Sequence, residues 1–383
     1  MSITRGHPSL LRTLNAQGVL KELLTHGELS RPELARRLGL SMPTILDVVS
    51  GLIQDGVVTE RPSPSTPRGR PAQVLSVAED AAQIICLDVG GTNIKAGRFN
   101  FKRQLMDATS MQTNTTTRTA VLDEIASIVD ELMLPNVPNT SIVIGAPGFV
   151  RDGIVIEAAN LPDWNDVPLQ SILEQRFGVP VAVENDVNLA VLGETHNGVA
   201  AGLQNVVFFA VSTGLGAGIL VDGQLVRGFK GAGGELAFIV PDTDKLAESY
   251  GANGALESFA ATKHLCRYWN EITGQNVTDP AIVANEARNG SPQAKQVFDQ
   301  WAKYLGVGVV SLASVLNPEM IVIGGGGAYS FDLIEEQLNT YLKRHLPFPP
   351  KLEKSALHDK VALWGGSIIG LDLVVQQLTQ SAV

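Results

Sequence analysis

Three short stretches carry the residue types that chemistry on a hydroxylated or phosphorylated ligand needs. The first is Asp88-Val89-Gly90-Gly91-Thr92, followed by Lys95. Paired glycines let the backbone approach a ligand with no Cβ in the way. Thr92 offers a hydroxyl, Lys95 a cation, and Asp88 a carboxylate able to hold Mg²⁺ through water. The plainer alternative is a hairpin with a buried aspartate. The second stretch is Glu184-Asn185-Asp186-Val187-Asn188. A carboxylate at a strand end, facing a cleft, is placed to take a proton from an attacking hydroxyl. Asp186 could instead be a helix N-cap, and one residue can do both. The third stretch, Ser212-Thr213-Gly214-Leu215-Gly216-Ala217-Gly218, repeats the design of the first. Two such turns can hold a nucleotide's phosphates from opposite sides without a Walker A sequence, which is absent. Asn160 can donate and accept as a pair of sugar hydroxyls requires, or simply form a turn before Pro162. Gly325, within the run Gly324 to Gly327, could pass under an adenine or ribose, or open a helix.

Each glycine turn follows a short β-branched apolar run, Ile84 to Val89, Val206 to Val211 and Met320 to Ile323, which predicts buried strands. Ser141 to Ile144 and Val179 to Val183 predict two more. Between them Val121 to Leu134, Val187 to Glu194 and Leu333 to Leu346 read as helices, and Trp364-Gly365-Gly366-Ser367 opens a last apolar helix. Ile156 to Trp164 reads as a polar loop. The stretch Gly198 to Val221 lacks charges, but Gln204, Asn205, Ser212, Thr213 and several glycines break it into strand, loop and strand, so no membrane span is expected.

The first 80 residues have a different pattern. Leucines from Leu10 to Leu24 recur at helical spacing, as one helix or two abutting ones. Ser30 then caps a helix with Pro32 in its first turn and Glu33 completing a capping box. Gly39 ends that helix and Ser41 caps the next. Helix, glycine turn and helix predict a helix-turn-helix, with Ser41, Met42, Pro43, Thr44 and, one turn on, Asp47 near base edges. Val57 to Arg61 and Gln73 to Val77 alternate like the strands of a wing. The wing tip carries Arg68-Gly69-Arg70-Pro71, a compact way to place two guanidinium groups in a narrow minor groove. A solvated linker is the alternative reading.

The chain has 383 residues and a formal net charge of −10, unsuited to coating nucleic acid over its whole surface. Charge is unevenly placed. Residues 1–72 hold nine Lys/Arg and six Asp/Glu (net +3), and the rest hold 20 and 33 (net −13). A polyanion would therefore meet the head alone. Cys86 and Cys266 are too few for a disulfide framework, and their use fits a reducing, cytoplasmic setting. The N-terminus lacks the apolar core of a signal peptide.

Taken together, these residues resemble the ROK family (repressor, open reading frame, kinase) over nearly the whole chain. The resemblance implies an α/β fold: a winged helix-turn-helix, residues 1–80, on a two-lobed, actin-like or RNase H-like sugar-kinase body. The small lobe would be 81–190 with the C-terminal helix 366–383, and the large lobe 191–365. Asp88 to Thr92 resembles the family's first phosphate motif, and Thr213 to Gly216 the second. Asn185 and Asp186 fall in the motif of the sugar-contacting Asn and catalytic Asp; Asn160, Glu235 and Glu257 fall where the family contacts its sugar. The family's usual His, three residues beyond the first of those glutamates, is here Phe238. Its Cys-x-Cys-Gly-x-x-Gly-Cys-x-Glu zinc motif reads Glu248-Ser249-Tyr250-Gly251-Ala252-Asn253-Gly254-Ala255-Leu256-Glu257. Every sulfur is gone, so no structural zinc is expected.

The expected function is a sugar-responsive DNA-binding regulator, a repressor acting as a homo-oligomer (dimer or tetramer) on double-stranded operator DNA. The alternative is a sugar kinase using ATP and Mg²⁺ with Asp186 as base, alone or combined with regulation. A ligand-free scaffold is a third reading, against which the retained cleft carboxylate argues.

Overall fold

The computed structural model describes residues 8–63, 73–158 and 160–381. The head is built from α1 (Pro8–His26), α2 (Arg31–Leu38), α3 (Met42–Gln54), β1 (Val58–Pro62) and β2 (Gln73–Val77). Leucines 10 to 24 form one continuous helix. The expected caps are present. The Ser30 amide donates to the Glu33 carboxylate (2.8 Å), Gly39 ends α2 at φ 66°, and the Ser41 hydroxyl accepts the Thr44 amide. β1 and β2 pair antiparallel as the wing. Arg68, Gly69 and Arg70 lie outside the described residues.

The body begins with β3 (Ala82–Val89), β4 (Asn93–Asn100), β5 (Leu105–Gln112), α4 (Arg118–Leu132) and β6 (Asn139–Ala146). A small sheet follows, β7 (Phe149–Arg151), β8 (Ile154–Glu157) and β9 (Asn165–Val167), then α5 (Leu169–Phe177), β10 (Val181–Asn185) and α6 (Asp186–Asn197). Residues 156–164 are thus only partly the expected polar loop: Ile156 is in a strand and Trp164 is buried, because β8 and β9 pair across the loop. The second half contains β11 (Val206–Val211), β12 (Leu215–Val221), β13 (Gln224–Leu225), α7 (Glu257–Ala260), α8 (Lys263–Thr273), α9 (Pro280–Arg288) and α10 (Pro292–Leu316). It closes with β14 (Met320–Gly324), α11 (Glu335–His345), β15 (Lys351–Lys354) and α12 (Val361–Ser381). The last helix starts at Val361, a turn before the expected Trp364.

Two five-stranded sheets share one topology, β5-β4-β3-β6-β10 and β13-β12-β11-β14-β15. In each, a three-stranded antiparallel meander is extended by two parallel strands. Helices α6 and α12 pack on each other between the sheets. Their crossing is very close. A Cβ on Gly365 would lie 1.8 Å from the Leu189 carbonyl oxygen, and one on Gly193 2.3 Å from that of Val361. Only glycine fits at such a crossing.

Helix α12 and its lead-in (His358–Gln380) are long and apolar enough to cross a membrane by composition. Its apolar faces are instead taken up by β3, β6 and α6, as in a core helix. One core cluster runs from the head (Leu20, Leu34, Ile45) through α12 (Leu363, Val374, Leu378) into the first sheet (Ile84, Phe99, Val143). Thr379 also accepts from the head: Gln17 Nε2 donates to its hydroxyl oxygen (3.2 Å) and the Thr13 hydroxyl to its carbonyl (3.3 Å). The head is therefore packed on the first sheet rather than tethered to it.

Candidate functional site

Strand β3 ends at Val89, and Gly90 to Thr92 turn the chain into β4. The Thr113 hydroxyl donates to the Gly90 carbonyl (2.7 Å) and the Thr113 amide to that of Thr92, pinning the turn from behind. Asp88 and Lys95 face each other in register across β3 and β4. Burial pushes the Asp88 carboxyl up to about 6, against the pull of Lys95 and with a push from Asp359. Asn160 is exposed and sits against the turn: a Cβ on Gly91 would lie 2.6 Å from its carbonyl oxygen. That contact explains why glycine is needed there.

At the end of β10 the structure decides against the alternative reading of Asp186 as the helix cap. Asn185, not Asp186, caps α6: its side-chain oxygen accepts the Val187 and Asn188 amides, and its side-chain nitrogen donates to Gly148 O. Asp186 is the first helical residue, where an N-terminal dipole favours negative charge. Burial nonetheless dominates. It pushes the Asp186 carboxyl up to about 7, helped by Asp88 and Glu235. Behind it lies Glu184, nearly buried, whose carboxylate accepts from the Asn185 amide (2.9 Å), Asn188 Nδ2 (3.0 Å) and Arg227 Nε (2.6 Å). Arg227 comes from the loop after β13, so this ion pair joins the two halves beside Asp186.

The second glycine turn is shorter than expected. β12 starts at Leu215, so only Ser212 to Gly214 turn, with Thr213 exposed. Gly216 and Gly218 are strand residues; a Cβ on Gly218 would lie 2.2 Å from the Val187 carbonyl oxygen, so its absence lets α6 lie on the sheet. Glu257, at the start of α7, accepts the Leu215 amide (2.9 Å), and its carboxylate oxygen would lie 2.9 Å from a Cβ on Gly214. Glu235 is pushed up to about 7 by burial and by Glu257, whose own carboxyl is also raised by burial. Gly325 (φ 75°) packs against Val211, beside the same turn. Asp88, Asp186, Glu235 and Glu257 thus share one crevice with both turns. Four carboxyl groups with Lys95 near Asp88 form an acceptor-rich lining suited to a ligand that offers many hydroxyl donors.

In the head, Ser41, Met42 and Pro43 are exposed and Thr44 is half-buried, its hydroxyl 2.8 Å from that of Ser41. Leu46 and Ser50 extend this open face, while Ile45, Val48, Val49 and Leu52 are buried. Period alone could have shown Leu46 and Ser50. Arg227 and Asp359 carried no local sequence signal, because both reach the crevice from distant segments.

The sequence profile of the ROK family matches residues 84–372, and that of a winged helix-turn-helix DNA-binding family residues 13–59. A xylose repressor of Caldicellulosiruptor bescii is 28% identical, with 94% of this chain and 96% of that protein covered. A glucokinase of Streptomyces coelicolor is 32% identical over 68% of this chain and 87% of its own. A crystal structure of a ROK family transcriptional regulator, a homologue of the Escherichia coli MLC protein, superposes with a TM-score of 0.82 at 22% identity. It covers 97% of this chain and 98% of its own.

Proposed function

The chain belongs to the ROK family, and from that premise we propose a sugar-responsive repressor whose crevice binds a monosaccharide and whose head binds operator DNA. One observation carries this reading. Asp186 opens α6, α6 is locked on α12 at Gly193 and Gly365, and α12 holds the head at Thr379. A ligand that draws the second half toward Asp186 therefore acts on the helix pair that seats the DNA reader. The effect requires that sugar bind one arrangement of the halves better than the other. Coupling of this kind changes affinity by about 5- to 150-fold.

Asn160, Asn185, Asp186, Glu235 and Glu257 would take the sugar hydroxyls. Asn185 would act with its remaining amide hydrogen, since its oxygen caps α6. Phe238 is 47% exposed and brings an apolar ring where the family has a donor, which favours a sugar with one hydroxyl fewer on that side. D-xylose is accordingly the first sugar to test, and D-glucose the second. The exposed face of α3, Ser41 to Thr44, would meet base edges, with Arg68 and Arg70 at the wing. Readers of this type bind paired half-sites about 34 Å apart, so the acting species is a dimer.

The test is fluorescence anisotropy of the full-length protein on the DNA upstream of its own gene, titrated with each sugar at fixed salt. Binding that the sugar alters several-fold is expected. Absence of DNA affinity at moderate salt would end the reading.

A second reading, sugar phosphorylation, is favoured by Asp186, whose pKa of about 7 suits a general base. On this reading Gly90, Gly91, Thr92, Lys95, Thr213, Gly214 and Gly325 would meet the nucleotide and Asp88 the Mg²⁺, all of them lying on or beside the two glycine turns. ATP would supply the phosphoryl group and the metal its charge neutralisation. Asp186 would orient the sugar hydroxyl and accept its proton. A coupled ADP-release assay decides this, with turnover in Asp186→Asn expected to fall by about 10²- to 10⁴-fold.

A further inference from the structure

The segment that carries Glu257 is where the family's zinc motif falls, and its donors do not suit zinc. Residues 248–257 contain no Cys or His. Glu248 is engaged by the Tyr250 hydroxyl and Glu257 by the Leu215 amide. The nearby His264 is a single imidazole, held neutral with its pKa near 4 by burial and by Arg267 and Lys263. Among the described residues no three His, Cys, Asp or Glu side chains are grouped to hold a metal ion. Tetrahedral zinc needs four such ligands.

A different set of contacts surrounds the same segment. The Phe259 ring stacks on Tyr304 of α10, centroids 4.9 Å apart and planes 19° from parallel. Lys245 Nζ lies 4.6 Å from the centre of the Phe259 ring. Tyr250 meets the ring's edge at 5.8 Å. Helix α7 is a single turn, too short to hold its own shape. Its carbonyls are tied from outside: Tyr268 Oη donates to Phe259 O (2.9 Å) and Trp301 Nε1 to Ala260 O (2.7 Å). The Leu256 amide donates to Ala237 O (2.9 Å), joining the segment to the turn that bears Glu235.

We infer that this aromatic and cationic clasp, Lys245, Tyr250, Phe259 and Tyr304, does without metal the work of positioning Glu257 against the second glycine turn. Phe259 is its central positioning residue, two places beyond Glu257 on the same helical turn. The clasp gathers a strand-poor stretch, residues 236–262, onto α8 and α10, whose core is already dense around Trp301 and Phe298. Glu257 then has one direction to face. The inference deepens the sugar-binding reading but is tested on the protein without ligand.

The experiment is hydrogen–deuterium exchange on the full-length chain, with metal content measured on the same sample. Zinc far below one per chain is expected, with exchange in 245–261 unchanged by EDTA. In Phe259→Ala, exchange in that segment should quicken about tenfold, from the lost stacking and cation–π contacts, while the head and first sheet keep their rates. Phe259→Tyr should restore it, and Lys245→Met should give a smaller rise that shows the clasp without emptying the core. Stoichiometric zinc whose removal loosens 245–261 would overturn the inference, as would unchanged exchange in Phe259→Ala. Adding D-xylose or D-glucose separates the two readings. Loss of sugar affinity in Phe259→Ala alone supports the positioning role, and a clasp that behaves as expected in a chain binding neither sugar leaves the clasp standing and removes the sugar reading.

Discussion

The two halves of the body share a strand order and differ in what lies beyond it. The first sheet leads to its site through short connections: a pinned turn at Gly90 to Thr92, and a strand running directly into α6 at Asp186. Its core is continuous with the DNA-reading head. The second sheet reaches the crevice through the long stretch 226–260, which has little regular structure and is held by Arg227 on one side and aromatic contacts on the other. One half is a frame that includes the head; the other is seated on α6 through its sheet, and only its jaw, the 226–260 stretch, is set by a few side chains. The same topology thus supports two differently built approaches to one crevice, because the difference lies in the loops.

The largest effect should come from breaking the frame. Gly365→Val would drive a side chain into the Leu189 carbonyl and separate α6 from α12. A loss of at least about 3 kcal/mol is expected in urea unfolding. On the jaw side the two strand glycines give a sharper contrast. Gly218→Ala should be severely disruptive, whereas Gly216→Ala, whose Cβ would meet only Val187 Cγ2 at 3.5 Å, should be tolerated. Equal effects at the two positions would contradict the close seating of α6.

Next in size is the tie between the halves. Arg227→Ala leaves the Glu184 carboxylate without its cation, and because the Arg227 side chain is 52% exposed the loss should be about 1–2 kcal/mol rather than that of a fully buried pair. Arg227→Lys should recover only part of it, since a single ammonium does not reproduce the guanidinium's hydrogen-bond geometry.

The crevice carboxyls give a smaller effect with a definite sign. Burial raises Asp186 to about 7 in the folded chain, above its unfolded value near 4. The folded state therefore binds a proton that the unfolded chain has released, and this contribution to stability is lost as pH rises from about 4 to about 7. Asp186→Asn removes that dependence. Its melting temperature relative to the parent should rise between pH 5 and pH 8, by on the order of 2–5 °C. A difference that stays flat with pH would show that Asp186 is ionised throughout.

The smallest expected change probes the join between head and frame. Glu33→Ala removes the carboxylate that accepts from Ser30 and should lower stability by about 1 kcal/mol. With a continuous core, this small change in the head should shift the unfolding of the first half with it. A separate early transition of the head would mean that the core is divided.

Much of this was legible in the sequence, for a physical reason that also marks the limit. Local features announce themselves: the Ser30 and Ser41 caps, the Gly39 stop and the strands before each glycine turn depend on neighbours along the chain. Gly216 and Gly218 were read as turn residues because glycine spacing does not say whether a missing Cβ serves a turn or a neighbouring helix. A cap at Asp186 stands in the sequence as an alternative to the base, and Asn185 fills that role instead, since both residue types cap equally well. Arg227 reaches Glu184 and Tyr304 reaches Phe259 across more than 40 residues of chain, and Lys245 reaches Phe259 across 14, and no local pattern points to such partners. The glutamates Glu235 and Glu257 were legible only through family resemblance.

The central claim is that the crevice and the head are coupled through one helix pair, and coupling is reciprocal. Calorimetric titration of D-xylose into the full-length protein, alone and saturated with operator DNA, measures it from the side opposite to the DNA assay. With crevice and head coupled in this way, DNA should change sugar affinity by the same factor, about 5- to 150-fold, by which sugar changes DNA affinity. A sugar that binds with identical affinity in both states would contradict it.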